Sequence, residues 1–118
     1  MDAATKNMLT EGGIDVGSML ERCMGNEALL ERLLKKFLAD TSYARLVGAF
    51  EAGDGAAALD AAHTLKGVCG NMSITGLFEL LARQVQVLRR GDMAEAASMM
   101  PEVTRRYDAA VQAIRKSF

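Results

Sequence analysis

The chain has no tryptophan, one proline, one histidine, two cysteines and an aromatic content of only 5%. Each shortage excludes something. Two thiols, Cys23 and Cys69, are too few and too far apart for a disulfide framework or a zinc site, and read as reduced, buried side chains. A lone histidine with no ligand-spaced neighbours argues against a transition-metal centre, so no metal site is expected. A formal charge of −1 gives no support to a nucleic-acid binder, which would normally carry a basic face. No apolar run approaches the roughly 20 residues of a membrane span. The opening "MDAATKNMLTEGG" carries no cationic apolar leader, so the expected location is cytoplasmic.

What remains is rich in helix formers. Half of the 118 residues are hydrophobic, drawn mainly from Ala, Leu, Met and Val, with no alternating strand pattern and no internal repeat. The length suits one domain spanning 1–118. A short helix is expected over Ala3–Thr10, ended by "EGG", and another over Val16–Met24. Asn26 is a good N-cap for a third, whose stripe of Leu29, Leu30, Leu33, Leu34, Phe37 and Leu38 is expected to continue unbroken to Phe50. Asp54 caps a helix over 55–71. Ser73 or Thr75 caps one over 75–90, which Arg89, Arg90 and Gly91 close. Asp92 opens the last segment, where Pro101 predicts a break near Met99–Met100. Short turns between four principal helices predict an all-α, antiparallel up-and-down four-helix bundle with a short extra N-terminal helix.

The histidine lies in "DAAHTLKGVCGN", Asp60–Asn71, together with two glycines that each cost a helix interior roughly 1 kcal/mol. At about 100° per residue, Ala58, Ala61, Ala62, Val68, Cys69 and Met72 fall within about 60° of Leu65 and form the core stripe. His63 lies about 160° from that direction and faces outward. Asp60, Lys66 and Gly67 share its face, with Leu59 on the same side and Gly70 one turn beyond Gly67. This grouping suits phosphoryl chemistry. A neutral imidazole is a nucleophile, Lys66 can reach phosphoryl oxygens, and Gly67 clears the surface for a partner. Gly70 extends that clearing more weakly. A hydrolytic triad would need an oxyanion hole and a cleft, which a convex helix face lacks.

"AHTLKG", Ala62–Gly67, resembles the signature of the histidine-containing phosphotransfer (HPt) domains of phosphorelays. "NEALLERLLKKFLAD", "GDGAAALDAAHTLKG" and "ITGLFELLARQVQVLRRGD" resemble the helices around that signature, and the likeness covers about residues 14–116. The resemblance implies a phosphocarrier rather than an enzyme. His63 would carry the phosphoryl group, Lys66 would stabilise its charge and Gly67 would leave room for the partner. The implied partners are response-regulator receiver domains, with a hybrid sensor histidine kinase upstream. No cofactor is expected on this chain, and Mg²⁺ is expected on the receiver. Two departures stand out. "NMS", Asn71–Ser73, replaces the small-hydrophobic-Gly pattern common in the family, with little consequence expected. Val85 stands where some members carry a glutamine, leaving Gln84 as the side chain that could turn toward the site. Leu59, Leu80 and Val87 are expected to form an apolar docking patch. A detached phosphoacceptor module of a chemotaxis-type kinase and a non-catalytic helical adaptor are the alternatives.

Overall fold

The computed structural model describes residues 1–118 as eight helices: α1 (Ala3–Glu11), α2 (Val16–Arg22), α3 (Glu27–Phe37), α4 (Ser42–Glu51), α5 (Gly55–Asn71), α6 (Thr75–Arg89), α7 (Met93–Ser98) and α8 (Met100–Ser117). There are no strands beyond a single bridge between Ile14 and Ile74. Short reversals after α4 and α5 set α4, α5 and α6 antiparallel in sequence order, and α6 packs next against α7 and α8. Helix α3 also lies on α8, and α1 packs on α8 as the extra N-terminal helix. Twenty-eight buried apolar residues, drawn from all eight helices and the turns between them, form one core.

Local chemistry accounts for most helix starts. Asp15, Asn26, Asp54 and Asp92 each accept a hydrogen bond from a backbone N–H three residues on, at 3.0 Å in every case. Each satisfies a donor that the first helical turn would otherwise leave without a partner. Gly91, at φ +80°, ends α6 in the left-handed conformation that glycine adopts without a Cβ penalty. Pro101 sits in the first turn of α8, where its missing N–H costs nothing, and the expected break falls at Met99.

Two expectations fail here. The helix begun at Asn26 does not run to Phe50: it stops at Phe37, and α4 starts afresh at Ser42. Asp40 Oδ1 accepts from the Ser42 amide at 2.9 Å, a local bond that competes with the helical ladder. After the break, Tyr43 stacks on Tyr107 of α8 with ring centroids 4.0 Å apart and donates to or accepts from Thr104 Oγ1 at 2.7 Å. Nor does Ser73 or Thr75 cap α6. Ile74 occupies the N-cap and supplies no side-chain bond.

Cys23 and Cys69 are both free and buried, as their scarcity suggested. Burial pushes the Cys69 thiol up to about 12, and the carboxylate of Asp40 adds to the rise. The folded protein therefore holds this proton more tightly than the unfolded chain does. That contribution to stability is complete below the ordinary thiol value of 9.0 and disappears as pH rises from there toward about 12. In urea titrations, the wild-type midpoint should fall more steeply than that of Cys69→Ala across this alkaline window. Parallel curves would show that the thiol carries no such linkage.

Candidate functional site

Helix α5 turns one face into the core and the opposite face to solvent. Ala58, Ala61, Ala62, Leu65 and Cys69 are buried, as the helical geometry predicts. Their small side chains let α4 and α6 approach α5 closely on either flank. His63 stands exposed in the middle of the outer face, with Asp60 and Gly67 exposed and Leu59 and Lys66 half-buried around it. The imidazole makes no hydrogen bond to another group of the chain, and Lys66 takes part in none of the five ion pairs. Both are free to meet a ligand. Their separation of three residues puts them one turn apart on one face.

The two glycines differ. A Cβ added at Gly67 would meet nothing within 4 Å, so the space above it is open. A Cβ at Gly70 would lie 3.2 Å from two carbons of the Phe78 ring, reaching across from α6. Gly70 is therefore no clearing for a partner; the chain itself fills the space. Asp60 is also engaged, its Oδ2 lying 3.6 Å from Arg45 Nη1 on α4. At that distance and exposure, the pair has little energetic weight, but it balances the carboxylate three residues before the histidine.

The remaining expected contacts move elsewhere. Leu80 and Val87 are buried at 4% and 6% exposure, not outward. They line a groove formed by α6, α7 and α8 that includes no residue of α5. Gln84 is fully buried and turns away from His63. Its Nε2 donates to the Ala96 carbonyl at 3.1 Å and approaches Met100 Sδ at 3.3 Å, both beyond α6 from α5. The cause is common to all three: α6 is covered on two sides, so its buried surface is wider than one stripe. Only Leu59 of the expected apolar patch lies on the histidine side.

Ser73 shows what the altered "NMS" turn requires. Its φ is +53°, a left-handed conformation that favours glycine. Its hydroxyl shares a hydrogen bond with Ser18 Oγ at 3.0 Å and accepts one from Arg22 Nε at 3.2 Å. The neighbouring Asp15 amide donates to the Ser73 carbonyl at 2.9 Å. These bonds from α2 and its N-cap offset the strain and fasten the N-terminal segment beneath the α5–α6 turn.

Sequence reasoning missed Arg45 and Phe78. The register of α4 against α5, which brings Arg45 to Asp60, has no local sequence mark. Phe78 had one: a costly interior glycine placed where the next helix begins its return, opposite one of only six aromatic residues.

These features define an all-helical bundle that presents one unpaired histidine, with a lysine one turn away, on the outer face of a helix. The chain belongs to the Hpt domain family, whose family model matches residues 20–116. Hpt domains are phosphocarrier modules of two-component signalling and pair with response-regulator receivers. No curated protein and no solved structure gives a significant match to the chain. No helix is long and apolar enough to cross a membrane.

Proposed function

We propose that this protein is a phosphorelay intermediate in which His63 takes a phosphoryl group from the aspartate of one receiver domain and returns it to that of another. The observation that carries the reading is the outward, unpartnered His63 with Lys66 one turn on and open space above Gly67. An imidazole nitrogen attacks the phosphorus of the aspartyl phosphate. The P–N bond forms as the P–O bond to the aspartate breaks, the carboxylate departs, and the other ring nitrogen releases its proton. Transfer back to an aspartate reverses these steps.

Such a transition state needs alignment and charge neutralisation more than covalent assistance. Lys66 supplies one positive charge at the equatorial oxygens. The Mg²⁺ and the acidic residues that hold it belong to the receiver, so this chain acts as a carrier and not as an enzyme. Its setting in this reading is the cytoplasm, downstream of a hybrid sensor histidine kinase.

The test is transfer of labelled phosphate from a panel of phosphorylated receiver domains. Label that moves to the protein, is lost in acid and survives alkali supports the carrier role and names a partner. Label accepted from an ATP-bound kinase domain but from no receiver redirects the reading to a kinase phosphoacceptor module. In the same assay, Lys66→Ala should slow transfer at saturating receiver by about 100-fold, the lower end of the range for removing one donor from a developing anion. Lys66→Arg should recover part of the loss. Equal rates for wild type and Lys66→Ala would remove the charge-stabilising role.

A further inference from the structure

We infer that Phe78, seated on Gly70, is the apolar anchor that a receiver domain grips while it exchanges phosphoryl with His63; this rests on the carrier reading above. Phe78 belongs to α6, yet its ring lies over the α5 backbone, with Cδ2 and Cε2 at 3.2 Å from where a Cβ of residue 70 would stand. Gly70 follows His63 by seven residues. On an α-helix that puts it within about 20° of the same direction and about 10 Å further along. His63, the open surface at Gly67 and the Phe78 ring thus form one low track down the outer face of α5.

A partner at His63 reaches that ring as a matter of size. Even a small specific interface covers about 600 Å² on each side, a disc of roughly 14 Å radius if centred on the histidine. Its footprint includes Gly70 and whatever covers it. Receivers are the macromolecules that must approach His63 closely enough to react, so they are the occupant of this track.

The arrangement also explains two expenses that the fold alone does not need. Phe37 is buried, Tyr43 and Tyr107 stack, and Phe50 and Phe118 are packed against the core in part. Phe78 is the one aromatic side chain left exposed, at 37%, and the only other large exposed apolar residue is Met24 in the turn after α2. A ring serving only the core would be covered. Instead, a helix-weakening glycine makes a seat that holds it at the surface. Aromatic side chains, phenylalanine included, are enriched at protein interfaces relative to the rest of the surface. Arg22, Glu79 and Ser18 surround the seat, a polar rim of the kind that encloses apolar anchors.

The experiment compares wild type, Phe78→Ala, Phe78→Tyr, Gly70→Ala and the double variant Gly70→Ala/Phe78→Ala. Each accepts label from a phosphorylated receiver over a range of receiver concentrations, and separately from phosphoramidate, a donor too small to need docking. Phe78→Ala should raise the receiver concentration for half-maximal transfer by about 10- to 30-fold, the scale of losing one anchor. The saturating rate and the phosphoramidate rate should stay within about twofold of wild type. Phe78→Tyr should restore most of the affinity. Gly70→Ala should weaken half-saturation less, and add nothing once Phe78 is gone. Wild-type half-saturation in Phe78→Ala, or an equal loss with phosphoramidate, overturns the anchor while leaving the carrier reading intact. A wild type that takes label from no receiver overturns the carrier reading, and the anchor with it.

Discussion

His63→Gln should fold as the wild type does and accept no phosphoryl group from any donor. The ring is exposed and bonded to nothing else in the chain, so its loss removes no packing and leaves no buried partner unsatisfied. Exposed substitutions of this kind change stability by no more than about 0.5 kcal/mol, and the melting temperature should move by less than about 3 °C. The chemical effect is total because nothing nearby can replace the imidazole. Cys69 is fully buried and its thiol is pushed up to about 12, so it supplies no thiolate to the surface. Thr64 is exposed but lies about 100° round the helix from His63, and its hydroxyl has no hydrogen-bond partner in the chain that would activate it. Glutamine keeps polarity and reach but lacks a nucleophilic nitrogen. The checks are thermal melting followed by circular dichroism, and labelled transfer from both a receiver and phosphoramidate. Residual labelling of the variant would move the acceptor away from His63. A large fall in melting temperature would mean that the ring supports the core after all.

The site helix was legible because its information is local. Spacing along α5 assigns buried and exposed faces by geometry alone: Ala58, Ala61, Ala62, Leu65 and Cys69 of the assigned stripe are buried, and Val68 and Met72 are half-buried against the core. Caps at Asn26, Asp54 and Asp92 are equally local, since side chain and amide lie three residues apart. Pro101 marks its break through a covalent restriction.

The misreadings concern relations between helices. Leu80, Gln84 and Val87 lie away from the Leu81 direction at the centre of the α6 stripe, but α6 is packed between α5 on one side and α7 and α8 on the other. Hydrophobic periodicity gives the direction of the stripe better than its width. Gly70 was read by the same rule as Gly67 because both share the histidine's face, and only the ring arriving from α6 separates them. The break at residues 38–41 was hidden for a different reason. Leu38 continues the apolar stripe of α3, whereas the turn rests on one bond from Ser42 to Asp40. Likewise, the consequence of serine in the α5–α6 turn depends on Ser18 and Arg22, more than fifty residues earlier in the chain.

Gly67→Leu should make the protein more stable and a poor partner at once. The glycine lies inside α5 with no positive φ, and a Cβ there meets nothing within 4 Å. Leucine then gains most of the helix-propensity difference, about 0.8 kcal/mol, and melting should rise by a few degrees. The same side chain would stand about 40° round and four residues on from His63, in the space that an approaching receiver must enter. Phosphoryl transfer needs the reacting atoms within about 3.5 Å, and a misplacement of 1 Å can cost about 100-fold. An isobutyl group holding the surfaces apart should therefore reduce receiver-dependent transfer by at least about 100-fold. Transfer from phosphoramidate, which needs no surface contact, should stay within about threefold of wild type. Stability and transfer moving in opposite directions can come only from a face kept bare for a partner, because damage to the fold would lower both. A lower melting temperature with normal receiver transfer would show instead that Gly67 is there for the helix itself.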